Sequence, residues 1–215
     1  MYKSTIKLLR EYYVLMDKKG ADINFKNLIV EAEDKLSQLN WLISKIKRIE
    51  KKSLSFFEKS TKPLHDHLEK CKRENLDPTK IPFDNSNTPT QNELERELKR
   101  SFKSQMFSEA FYYFAWRLLV ILKNLDGLKN IECEGILIVR NKLIEHSERK
   151  DSKITIRSFA SGGSNGPVIK GVRYSHQKDT YKDKGLYINA KELRVKLEKA
   201  LKNLLDNKQG QARSV

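Results

Sequence analysis

Phe25-Lys26-Asn27-Leu28-Ile29-Val30-Glu31-Ala32-Glu33-Asp34-Lys35-Leu36-Ser37-Gln38-Leu39-Asn40-Trp41-Leu42-Ile43 decides the fold class. Its apolar positions (Phe25, Leu28, Ile29, Ala32, Leu36, Leu39, Leu42 and Ile43, then Ile46 and Ile49) return every three or four residues, the period of one helix face. Asp22 or Asn24 can cap its start, and the pattern predicts a helix running to about Lys59. Upstream, residues 4–18 predict a shorter helix closed by Gly20. Downstream, Pro63 suits the first turn of a separate helix from Thr61 to about Arg73. Asn75 to Thr90 holds three of the five prolines and predicts a surface loop.

From about Asn92 to Leu125 the chain is first charged and then aromatic, with Phe102, Phe107, Phe111, Tyr112, Tyr113, Phe114 and Trp116, and predicts the central core helix. Gly127 ends it, and another helix is expected from about Ile131 to Lys150. Residues 154–159 and 168–174 alternate at period two around the Ser161–Pro167 turn signal, which predicts a β-hairpin at about 153–175. Ala190 to Leu205 predicts a last helix capped by Asn189. The expected fold class is therefore mainly α, a helical bundle with one small hairpin before the last helix. Residues 1–206 read as a single domain and 207–215 as a flexible tail.

Hydrophobic residues make up 38% of the chain and charged residues 33%, which suits a helical protein with a modest core. The longest apolar run, Phe111 to Leu122, is interrupted by Arg117 and is too short to span a bilayer, so no membrane partner is expected. The N-terminus lacks the pattern of a secretion signal, and Cys71 and Cys133 form neither a disulfide framework nor a CxxC pair. A cytoplasmic location is expected. The net charge of +15 is concentrated at the two ends, with +6 over residues 1–75 and +8 over residues 131–215. Such a surplus favours polyanionic partners, foremost nucleic acid.

Arg140 is the residue that calls for an explanation. On a wheel of about 100° per residue, Ile136, Leu137, Leu143 and Ile144 fall within roughly 60° of it, so it is expected at the centre of an apolar stripe. A guanidinium cannot shed its charge, and burying it unpaired costs several kcal/mol. An internal carboxylate such as Glu109, Glu134 or Glu145, a partner subunit or an anionic ligand must justify it.

Arg140, Asn141 and, six positions after the arginine, His146, on a late helix that follows an aromatic helix, resemble the signature of the HEPN superfamily. The resemblance covers residues 92–150. It implies a small helical bundle, usually dimeric, and a metal-independent endoribonuclease of the toxin or phage-defence type. On that reading His146 is the general acid or base, Arg140 clamps the scissile phosphate, and Asn141 orients the histidine or the phosphate. The implied products carry a 2′,3′-cyclic phosphate and a 5′-hydroxyl. Lys142, Arg149, Lys150, Arg157, Lys170 and Arg173 are the expected RNA contacts, the last three with Tyr174 as a single-strand platform. Noncatalytic members imply an alternative, a dimerisation, nucleotide-binding or RNA-binding module acting with a partner such as an antitoxin or a nucleotidyltransferase. No cofactor or metal is expected. His65 and His67 point about 200° apart on a helix and cannot share an ion. His176 lies in a basic loop, and the Ser161–Pro167 glycines lack the Lys-Ser/Thr of a phosphate loop.

Overall fold

A computed structural model describes residues 1–80, 82, 89–144, 168–169, 172–173 and 186–211, with side chains over 1–80, 82, 89–141 and 186–206. The chain is mainly helical. Among the described residues there are five helices: α1 (Lys3–Lys18), α2 (Ile23–Arg73), α3 (Gln91–Leu122), α4 (Glu134–Ile144) and α5 (Leu186–Gln211). Gly20, at φ +70°, closes α1 by donating its N–H to Asp17 O, a left-handed stop that costs glycine nothing. Asp22, not Asn24, caps α2, its carboxylate accepting from Asn24 N at 2.8 Å.

α2 overturns the expected break at Pro63. It is one helix of 51 residues, about 77 Å long at 1.5 Å per residue. Proline removes the hydrogen bond to the carbonyl four residues back. Here that carbonyl belongs to Lys59, in a turn whose neighbours Lys62, Leu64 and His65 are exposed, so water reaches it. Thr90 and Glu93 form a capping box at the start of α3, one residue earlier than the expected Asn92. Lys59 with Glu93, Trp41 with Phe107, and Lys35 with Phe114 meet in descending order, so α2 and α3 run antiparallel.

The core occupies only one end of this long pair. Ile29, Leu36, Leu39 and Ile46 of α2 and Phe111, Leu118 and Leu122 of α3 are buried there. Leu9 and Tyr12 of α1, Ile136 and Val139 of α4, and Leu193, Leu197 and Leu201 of α5 close around them. Tyr2, fully buried, ties the N-terminus to α5 by donating to Ala190 O at 2.9 Å. Beyond Ile46 the character changes. Along residues 50–73 and 91–108 the buried positions are Ser53, Cys71, Glu97, Ser104 and Ser108. Where α2 and α3 overlap there they form a two-helix arm whose buried positions Ser53, Glu97, Ser104 and Ser108 are polar.

The expected hairpin is not seen. Its first strand, 154–159, and its glycine turn lie outside the described residues. The described pairing is a two-residue antiparallel ladder, Val168–Ile169 with Val172–Arg173, wholly inside what reads as the second strand. Gly171 in the middle of that run is the sequence feature that weakens it as one strand. α5 begins at Leu186, ahead of the expected Ala190, and continues past Asp206 to Gln211.

Gly127 follows α3 at φ +84°, and a Cβ there would collide with the side chain of Leu204 on α5. Gly127→Ala is therefore expected to cost about 1–2 kcal/mol, combining left-handed strain with displacement of a half-buried leucine. Thermal melting checks this, and an unchanged midpoint contradicts it.

Candidate functional site

α4 buries Gly135, Ile136 and Val139 against the core, beside Cys133 just ahead of it. With Arg140 as zero, Ile136 and Val139 fall at roughly −40° and −100°. The buried stripe is thus centred to one side, and Arg140 stands at its edge, half-buried. This corrects its expected place at the stripe's centre. Leu137 and Ile138, which a wheel counts as stripe-forming or neutral on apolarity alone, are only half-buried.

Its guanidinium carbon lies 4.1 Å from the centroid of the Trp116 ring on α3. That distance is well inside cation–π range, and a planar guanidinium also stacks on an indole. Nη1 donates to Asn141 Oδ1 at 3.0 Å. The guanidinium has donors only, so the amide oxygen of Asn141 must face it. Arg117 approaches the same indole at 5.9 Å and Tyr113 at 6.0 Å, so Trp116 is a shelf shared by two cations. On sequence alone, the aromatic residues of this helix read as packing or interface groups. The arginine's approach is a contact between α3 and α4, with no local sequence signal.

The structure thus brings Arg140 and Asn141 together. Lys142 lies on α4, but its side chain is not among those described, and the same holds for Arg173 in the short ladder. His146, Arg149, Lys150, Arg157 and Lys170 lie outside the described residues. Among the described residues, no group of three or more His, Cys, Asp or Glu is placed to hold a metal. Instead, His67 Nε2 faces Cys71 Sγ at 3.7 Å, and His65 is exposed. Both cysteines are free and buried. No described helix is long and apolar enough to cross a membrane.

The arm carries a second concentration of chemistry that the sequence reading missed. A cleft of about 590 Å³ between α2 and α3 is lined by six cations (Arg48, Lys51, Lys52, Lys59, Arg96 and Arg100) and by Glu93, Ser55 and Phe56. Glu93 is already engaged. One oxygen takes the Thr90 backbone N–H at 2.9 Å, and the other lies 3.7 Å from Lys59. The Thr90 backbone bond, then its hydroxyl, hold this carboxyl below its usual range. Beneath the cleft, buried Glu97 fixes Arg100 through Nη1 at 2.7 Å. Arg48 with Lys51, Arg48 with Lys52, and Arg96 with Arg100 are like charges three or four residues apart, each pair costing a helix about 0.2–0.5 kcal/mol. The signal was present in the spacing 48, 51, 52, 55, 59, one stripe of α2.

On the outer side of the arm, Leu94, Leu98, Phe102 and Met106 of α3 form an exposed row at intervals of four. No family model, curated protein or solved structure matches this chain.

Proposed function

We propose that this protein is a HEPN-like, metal-independent endoribonuclease in which Arg140 holds the scissile phosphate and His146 moves the proton. The observation that carries the reading is the seating of Arg140: over the Trp116 ring, bonded to Asn141, and only half-buried. A guanidinium fixed in this way presents a pre-oriented fork to phosphate oxygens, and orienting it beforehand lowers the cost of stabilising charge as it builds. An imidazole titrating near neutrality suits proton transfer from a 2′-hydroxyl or to a 5′-oxygen. Asn141, expected to orient the histidine or the phosphate, is assigned here the orientation of the arginine.

Incubation with total RNA in the presence of a chelator tests it. The intact chain is expected to degrade RNA, and His146→Ala is expected not to. RNA left whole by the intact chain contradicts the reading.

A second reading is favoured by the row Leu94, Leu98, Phe102 and Met106, an apolar strip of the kind that marks interaction surfaces. On it the chain is a noncatalytic HEPN-like module that dimerises or docks a partner protein and binds RNA or a nucleotide without cutting. Binding without cleavage in the same incubation selects this reading.

A further inference from the structure

We infer that the cationic cleft between α2 and α3 is a binding track for the sugar–phosphate backbone of a single-stranded nucleic acid, separate from the Arg140 site. Arg100 and Trp116 are about 24 Å apart along α3 and about 160° apart around it, so the two sites occupy different faces of that helix. The cleft therefore stands or falls independently of the cleavage reading.

Three observations carry the assignment. First, the cations of α2 form a row from Arg48 to Lys59, about 16 Å long with members a helical turn or less apart at its start. A row of this kind suits an extended chain of phosphates better than one compact anion. Secondly, the charges are uncommitted where structure alone would commit them. Lys59 and Arg100 have carboxylate partners, whereas Arg48, Lys51, Lys52 and Arg96 have none among the described residues. Packing does not explain clustered like charges that weaken their own helices, whereas counterion release by a bound phosphate chain does. Thirdly, Phe56 lines the same cleft, half-buried, and offers a ring edge or face for a base beside the phosphate row. The cleft's volume of about 590 Å³ leaves room beside the phosphate row for an unpaired base near Phe56.

The test is a fluorescence-anisotropy titration of the full chain with a 5′-fluorescein oligothymidylate of twelve nucleotides at several salt concentrations. This probe has no 2′-hydroxyl, so the proposed cleavage chemistry cannot consume it. Lys51→Ser/Lys52→Ser/Arg96→Ser changes three exposed side chains and is expected to fold normally, with a melting midpoint equal to or above the parent's. Its affinity is expected to fall at least tenfold. The slope of log K against log salt is expected to shrink by about two, at roughly 0.7 per lost phosphate contact on a single strand. The control Lys19→Ser/Lys123→Ser/Lys129→Ser removes the same charge elsewhere and is expected to change affinity less than threefold. Equal losses in both triple variants, or an unchanged slope in the cleft variant, overturn the assignment. So does displacement of the oligomer by equimolar inorganic tripolyphosphate, which would assign the cleft to a small polyphosphate.

Discussion

Arg140→Ala is expected to slow RNA cleavage by two to three orders of magnitude, the usual effect of removing one pre-oriented donor to a developing oxyanion. The loss is expected mainly in kcat, because the fork's second contact strengthens as charge gathers on the phosphate oxygens. Arg140→Lys should recover little. An ammonium keeps the charge but cannot stack on Trp116 as a planar group can, or present two parallel N–H groups. Structural damage separates cleanly from this effect. Loss of the half-buried contact with Trp116 and of the bond to Asn141 removes about 1–3 kcal/mol of stability, which the melting curves read separately from the rate. Single-turnover rates on a defined oligoribonucleotide, beside melting curves, provide the check. An Arg140→Ala variant that cuts at the parent rate contradicts the proposed role of the clamp.

The second large effect concerns acidity. Glu50, on α2, accepts a short hydrogen bond from the Tyr187 hydroxyl of α5. Its other oxygen is buried with no hydrogen-bond partner among the described residues. Burial pushes its carboxyl from 4.5 up to about 7, partly opposed by the Tyr187 hydrogen bond and by Lys47. Tyr187 is itself pushed upward by burial and by Glu50, and stays a donor throughout. Between pH 4.5 and 7 the folded chain therefore binds more proton than the unfolded chain, and stability falls as pH rises through that window. The change from pH 5 to pH 8 is expected to be of the order of 2–3 kcal/mol from this group. Glu50→Gln keeps an acceptor for Tyr187 without the charge, so it should flatten the dependence and raise the melting point at pH 8. A parent whose melting point is the same at pH 5 and pH 8 contradicts this account.

Most of the helical framework was legible because it rests on local rules. The apolar period from Phe25 to Ile46, the left-handed stop at Gly20 and the cap at Asp22 all depend on residues within one or two turns. Pro63 misled because a proline suited to a first helical turn can also sit inside a helix, and α2 continues through it where Lys62, Leu64 and His65 are exposed. The capping box of Thr90 and Glu93 could have been read from its spacing. The fit of Gly127 against Leu204 could not, since those residues meet only in the folded bundle. The same division applies to function. Arg140 and Asn141 stand out in the sequence, whereas the Trp116 shelf that orients the guanidinium comes from another helix. The cleft of the arm went unread because each lysine, taken alone, looks like ordinary solvated surface. Its meaning lies in α2 and α3 facing each other with unbalanced charge.

Mass spectrometry of the cleaved ends tests the central claim most directly. A defined oligoribonucleotide is incubated with the purified chain in excess chelator, and the mass of each 3′ terminus is read. Attack by the neighbouring 2′-hydroxyl, with Arg140 on the phosphate and His146 moving the proton, predicts a 2′,3′-cyclic phosphate facing a 5′-hydroxyl. A 3′-hydroxyl facing a 5′-phosphate, or cleavage that stops when chelator is added, would contradict it.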